Sequence, residues 1–156
     1  MAATPATQAL DRAGVNYKLH EYAYDPDADS IGLAAAASLG VEPARMLKTL
    51  IVRVDGKFAC VILPSDREVS MKRLAAALHG KSAEMAKPVD AERATGFKVG
   101  GVSPFGQKKL APTVLDASAL SHATVFVNGG RRGLQAELDP LEIVRALKAV
   151  SANVAA

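Results

Sequence analysis

Three features of the sequence predict an α+β fold, with a curved, mostly antiparallel mixed sheet of six or seven strands surrounded by short helices. The first is a pair of β-branched, apolar runs, Leu47 to Val54 and Lys57 to Leu63, joined by Asp55-Gly56. This is the signature of a hairpin closed by a tight primed turn. The second is a set of short helices punctuated by caps, prolines and glycines. The third is the absence of a long strand–helix–strand series, which excludes a doubly wound parallel sheet.

Taken in order, Thr4 caps a helix over 5–13 with Pro5 in its first turn, and Gly14 follows its end. Asn16 to Tyr22 alternates like a strand, with Tyr17 and Leu19 on one side and Lys18 and His20 on the other. The acidic stretch Tyr22 to Ser30 reads as a solvated loop, since Asp25, Asp27 and Asp29 lack the spacing and closing Glu of a calcium loop. Ser30 caps a helix from Ile31 to Leu39 that Gly40 ends, and Pro43 to Met46 is expected to add a helical turn.

After the hairpin, Ser70 caps a helix from Met71 to Leu78, Ser82 to Met85 is a short strand, and Pro88 starts a helix ending at Gly96. Thr113 to Asp116 is a strand, followed by a helical turn at Ala117 to Leu120. The strand Ala123 to Val127 pairs back through Asn128-Gly129-Gly130 with Gly133 to Leu138. Asp139-Pro140 begins the last helix, through about Val150, and the Ala-rich end is expected to fray.

At 156 residues and 49% hydrophobic, the chain is long enough to bury one core, and a single domain over 1–156 is expected. The formal charge of +3 and pI near 9.1 permit a polyanionic partner without indicating one. One cysteine, Cys60, excludes an internal disulfide and sits in an apolar strand, where packing is the better reading than nucleophilic attack. No run resembles a membrane span or a signal peptide, so a cytoplasmic protein without a membrane partner is expected.

The chemistry concentrates in Gly100-Gly101-Val102-Ser103-Pro104-Phe105-Gly106-Gln107-Lys108-Lys109. By itself this is a sharp connection with lysines in solvent, or an ordered loop presenting Gly100 and Gly101 N–H groups to a ligand oxygen with Ser103 beside them. Lys48, at the start of a strand, either marks the wet end of that strand or serves as a fixed cation for a phosphate or developing oxyanion. There is no Gly-x-Ser-x-Gly elbow, Walker loop, His-Glu-x-x-His or Cys-x-x-Cys, and His20, His79 and His122 are isolated. Neither a metal nor a cofactor is expected. What remains is equipped to hold an anionic or ester-bearing ligand, not to attack it.

Lys48-Thr49-Leu50, the block from Gly96 through Lys109, and Gly129-Gly130-Arg131-Arg132-Gly133-Leu134 together resemble the YbaK/EbsC family of aminoacyl-tRNA editing proteins, in order and over nearly the whole chain. The resemblance implies a domain related to the editing insertion of bacterial prolyl-tRNA synthetase. It also implies release of an amino acid wrongly esterified to the 3′ end of tRNA, cysteine on tRNA(Pro) in the YbaK branch. There the substrate's own thiol attacks its ester carbonyl, giving a thiolactone.

By resemblance, Lys48 orients the terminal ribose-phosphate or ester region with Thr49 beside it, and Gly100 and Gly101 donate to the carbonyl. Tyr22 lines the amino-acid pocket, Ser103 assists, and Asn128, Gly129 and Gly130 form another wall. The YbaK branch has Phe in place of Ile31, Ser in place of Asn128 and Asp near Gln135. The first difference changes pocket size and the others change polar contacts. Two other readings stand beside this one: a deacylase for alanine or another small amino acid on tRNA(Pro), and a non-catalytic tRNA- or nucleotide-binding module. Association with prolyl-tRNA synthetase is implied as a source of tRNA specificity.

Overall fold

The hairpin is the long spine of the structure, a computed structural model describing residues 3–156. Strand β2 (Leu47–Val54) pairs antiparallel with β3 (Lys57–Pro64) along its whole length. Asp55 and Gly56 both take positive φ, 50° and 82°, as a primed turn demands. The Asp55 carboxylate accepts the Lys81 and Ser82 N–H groups at 3.0–3.1 Å, which draws β4 (Ala83–Met85) alongside β2.

Among the described residues the strands number eight and form two sheets instead of the one curved sheet expected. The larger has the order β4-β2-β3-β5-β8, with β5 (Thr113–Asp116) parallel to β3, and β8 (Val150–Ala152) parallel to β5. The smaller is antiparallel, β1-β7-β6, from Lys18–Glu21, Leu134–Leu138 and Val125–Asn128. The two meet where Met46 bridges Phe126 and the Phe126 N–H donates to the Arg45 carbonyl at 2.8 Å.

The helices begin where their caps place them: α1 (Pro5–Arg12), α2 (Ile31–Leu39), α3 (Met71–Ala77), α4 (Pro88–Thr95) and α5 (Pro140–Leu147). The Thr4, Ser30, Ser70 and Asp139 side chains each accept an N–H of the first turn. Residues 43–45 form turns but no helix, because Met46 is already engaged in the bridge to Phe126.

The C-terminal expectations need the largest correction. Helix α5 stops at Leu147, where Lys148 turns left-handed at φ 51°, and the following residues form β8. Nor does the end fray. Val154 and Ala155 are buried, and their N–H groups donate to Asp116 Oδ1 at 2.9 and 3.0 Å. Burial works to raise the Asp116 pKa, but hydrogen bonds from Ser118, Val154 and Ala155 outweigh it and hold the carboxyl below its ordinary value.

Replacing Asp116→Asn should lower stability in urea unfolding at neutral pH by about 1–3 kcal/mol, the cost of unmaking buried charge-assisted bonds. Because the native carboxyl titrates below the unfolded one (~3.9), its contribution is complete above the unfolded value. It is lost as pH falls through the native one, and the stability curves of wild type and variant should converge there.

Candidate functional site

Where the two sheets abut, a cavity of about 320 Å³ opens between the start of β2, the N-terminal ends of α2 and α4, the glycine loop and the β6–β7 pair. Its walls are largely aliphatic: Ile31 from α2, Leu47, Leu50 and Ile51 from β2, and Pro88 and Ala91 from α4. Among the described residues, Lys48 is the one charged member of the lining. Its Nζ lies 3.9 Å from Glu68 Oε1, and because the Glu68 side chain is 90% exposed this pair is weak and leaves the ammonium available.

Three polar residues complete the lining on strands. Asn128 and Gln135 are direct partners across β6 and β7. The Asn128 side chain is engaged at both ends, donating to the Gly100 carbonyl at 3.3 Å and accepting the Gly130 N–H at 2.7 Å. Thr49 Oγ1 and Gln135 Oε1 are buried and have no hydrogen-bond partner among the described residues. A buried polar atom left unmade costs about 1–3 kcal/mol, so these two are poised to be satisfied by a ligand.

The glycine loop is ordered by its neighbours. The Val99 N–H donates to Glu92 Oε2 at 2.8 Å, and Arg132 Nε donates to the Val99 carbonyl at 3.0 Å. Gly100 has φ 90° and lines the cavity. Among the described residues its N–H is not engaged. The Gly101 N–H donates to the Lys98 carbonyl at 2.8 Å, and a Cβ there would come within 2.9 Å of the Arg131–Arg132 backbone. Gly101 therefore permits the close approach of two loops, and its N–H is not free for a substrate carbonyl.

Of the residues singled out in the sequence, Lys48, Thr49, Ile31, Gly100, Asn128 and Gln135 are brought together around the cavity. Five others are not in its lining. Tyr22 packs with Ala35, Ala36, Met46 and Phe126, and its buried Oη also has no hydrogen-bond partner among the described residues. Ser103 is fully buried and its Oγ accepts the Phe105 N–H at 3.1 Å, fixing the turn at Pro104. Gly101 is spent as described, the Gly129 N–H donates to the Leu134 carbonyl at 2.8 Å, and the Gly130 N–H goes to Asn128. The glycines shape the second turn and hold Asn128, which faces the cavity for them.

Sequence reasoning missed the apolar wall, Met85, Ala86, Pro88, Ala91, Val99 and Val102. Its one visible signal was a helix beginning with Pro88 immediately after a strand. Cys60 is buried in β3 as the cross-strand partner of Ile51 but is not itself in the lining, and its thiol is pushed up to about 12 by burial. Among the described residues no group of three or more His, Cys, Asp or Glu side chains is placed to hold a metal, and no helix is long and apolar enough to cross a membrane.

Residues 25–146 match the family model described as the aminoacyl-tRNA editing domain, and the chain belongs to this family. EbsC of Enterococcus faecalis, described as a candidate Cys-tRNA(Pro)/Cys-tRNA(Cys) deacylase, is 38% identical over 146 residues, 90% of this chain and 86% of that protein. Proline–tRNA ligase of Caldicellulosiruptor bescii is 35% identical over 94 residues, 60% of this chain but only 16% of the ligase. Among solved structures, a protein described as hypothetical superposes with TM-score 0.86 at 29% identity, covering 97% of this chain and 99% of that one. A candidate trans-editing enzyme for prolyl-tRNA synthetase shares the fold at 21% identity, with TM-score 0.85 over 100% of this chain and 99% of that one.

The Cys60 thiol should resist aromatic disulfide reagents at pH 8 in the native protein and react fully once the chain is unfolded in denaturant. Gly100→Ala should lose about 1–2 kcal/mol from its positive φ. Because the new methyl would fall 2.7 Å from Tyr24 Oη, the loop should also shift, visible as altered amide resonances around Val99 to Val102.

Proposed function

We propose that the chain, acting over its whole length as one editing domain, is a free-standing deacylase that removes a wrongly attached amino acid from tRNA, with Cys-tRNA(Pro) as its principal substrate. The observation that carries this reading is the composition of the cavity. Among the described residues its lining holds aliphatic side chains, one lysine and unpartnered polar oxygens, but no His, Cys, Asp or Glu that could act as nucleophile or general base. The Ser30 hydroxyl is occupied in capping α2, where it accepts the Leu33 N–H at 3.2 Å. The Thr49 hydroxyl has no base in the lining to take its proton, so a cavity so equipped can bind and orient an ester but is poorly armed to attack it, and the nucleophile arrives with the substrate.

Cysteine meets that requirement. Its sulfur attacks the ester carbonyl, the carbonyl oxygen gains negative charge, and collapse expels the terminal ribose oxygen, which takes up the thiol proton. The products are a thiolactone and free tRNA. Lys48 is the cation nearest this chemistry and stabilises the oxyanion or holds the adjoining ribose-phosphate, while the Gly100 N–H supplies a backbone donor. Thr49 and Gln135 bind the polar end of the aminoacyl group, and the aliphatic wall excludes water that would compete with the thiol. The likeness to EbsC supports this substrate, the protein's own tRNA selectivity is supplied by association with prolyl-tRNA synthetase, and the site of action is the cytoplasm.

One feature favours a second substrate. The aliphatic lining, with Ile31 at its edge, accommodates any small apolar side chain, and such a pocket separates neighbours differing by a methylene by only about 1–3 kcal/mol. Alanine on tRNA(Pro) carries no thiol, so its release would need a water admitted to the cavity and a proton acceptor brought from outside this lining.

With purified protein, Cys-tRNA(Pro) should be deacylated rapidly and Ala-tRNA(Pro) should survive, with thiolactone resolved among the products; preferential loss of alanine would replace the substrate, and loss of neither would leave a binding module. Lys48→Ala should reduce deacylation by roughly 10²-fold or more with the unfolding transition unchanged. Turnover equal to wild type would remove Lys48 from the mechanism.

A further inference from the structure

The opposite flank of α4 from the cavity bears a second candidate site. Two adjoining hollows of about 200 and 190 Å³ share Phe58, Ala94 and Lys109, and Ile51 lines both the second of them and the cavity. Arg53 and Phe58 are cross-strand partners on β2 and β3, and the Arg53 guanidinium carbon stands 4.1 Å from the centroid of the Phe58 ring. The guanidinium is fixed there, donating to the Gly56 carbonyl at 3.1 Å and lying 3.8 Å from Asp90 Oδ2. Such a flat, restrained cation on an aromatic floor is a stacking platform.

Charge on this flank is unbalanced. Arg93 and Lys109 line the first hollow with Arg53, and among the described residues neither takes part in an ion pair. One carboxylate, Asp90, also lines the first hollow and is paired there with Arg53, which leaves Arg93 and Lys109 in excess, while Glu92 is engaged as acceptor for the Val99 N–H. Leu110, fully exposed, borders the second hollow and offers an apolar edge. Unpaired cations flanking a stacked guanidinium and an exposed apolar side chain match the needs of a sugar–phosphate strand. Such a strand presents phosphates to cations, and its unstacked bases lie flat on guanidinium planes.

We propose that this groove holds the single strand of RNA leading to the esterified 3′ end, so that the substrate crosses α4 with its terminal ester in the cavity and its upstream nucleotides over Arg53, Arg93 and Lys109. The assignment rests on the reading of the substrate as aminoacyl-tRNA. The path is short, since Ile51 lines both the cavity and the second hollow and the strand has one helix to cross, about 10–12 Å with its side chains.

The test is binding of an uncharged RNA hairpin, an acceptor stem with its single-stranded 3′ end, followed by fluorescence anisotropy between 50 and 200 mM salt. Arg93→Gln/Lys109→Gln, both at exposed positions, should weaken binding at least threefold and make the slope of log K against log salt shallower by about 1.4, two single-strand phosphate contacts. The control Lys18→Gln/Lys72→Gln, which removes the same charge from exposed positions on β1 and α3, should leave both quantities unchanged.

Unaltered affinity and slope in the groove variant, or an equal loss in the control, would overturn the proposal. So would the same dependence on Arg93 and Lys109 for a blunt hairpin without the single-stranded end, which would place the duplex in the groove. Cleavage of a cysteinyl-adenosine ester by the wild-type protein, measured in parallel, reports on the activity alone. Its absence together with groove-dependent RNA binding would sink the enzymatic reading and uphold the groove.

Discussion

The seam between Arg45 and Phe126 is the constraint on which the site depends. Here the residues leading into β2 are stitched to β6 by the Phe126 N–H and the Arg45 carbonyl. The Arg45 side chain reinforces the join, its Nε donating to the Thr124 carbonyl at 2.9 Å and its Nη2 to Thr124 Oγ1 at 2.6 Å. Thr124 in turn donates to Glu137, which His20 meets at 3.0 Å. Side-chain bonds to Thr124 and His20, with the charges of His20 and Arg45, hold the Glu137 carboxyl below its ordinary value. This network makes two otherwise separate sheets share a boundary, and it sets Lys48 and Thr49 on one opposite Asn128 and Gln135 on the other.

Within that boundary, polar groups of the lining are left unsatisfied. An aliphatic enclosure lowers the local dielectric, so in the proposed reaction a single ammonium and a backbone N–H would act on a developing charge more strongly than in water. The same enclosure makes the unpartnered Thr49 and Gln135 oxygens a cost to the empty protein. The structure carries this cost because the surrounding elements are over-determined: Glu92, Arg132 and Asn128 each hold the glycine loop from a different direction. A lining that holds, among the described residues, no His, Cys, Asp or Glu has placement as its main resource, and these contacts keep the placement fixed.

Local chemistry made most elements legible. Asp-Gly between β-branched runs, and Ser, Thr or Asp before a helical run, act within a few residues and were readable as such. The division into two sheets, the strand β8 and the anchored C-terminal segment depend on pairings between distant positions, such as Asp116 with Val154 and Ala155, which no local pattern announces. The site divides in the same way. Lys48, Thr49, Gly100 and the second glycine turn were visible through motifs, but motif membership did not separate residues that face the cavity from those that shape the backbone. Gly101 and Ser103 belong to the second kind because their hydrogen-bonding capacity is used within their own loop. The wall from Met85 to Ala91 carries no motif, since aliphatic side chains acquire meaning only from what they enclose.

The partnership of Asp116 with the last strand also bears on how the protein is made. A ribosome releases the chain from its N-terminus, so the hairpin of β2 and β3, joined by two residues, can form while synthesis continues. Strand β5 can then dock beside β3, but its other edge stays open and the Asp116 carboxylate lacks the Val154 and Ala155 donors until residues 150–155 emerge. Every residue of the cavity lining has been synthesised before that point, the last being Gln135. A nascent chain thus possesses the whole site in sequence before it can close its main sheet, and that interval, with an uncovered strand edge, is when it is most exposed to mispairing.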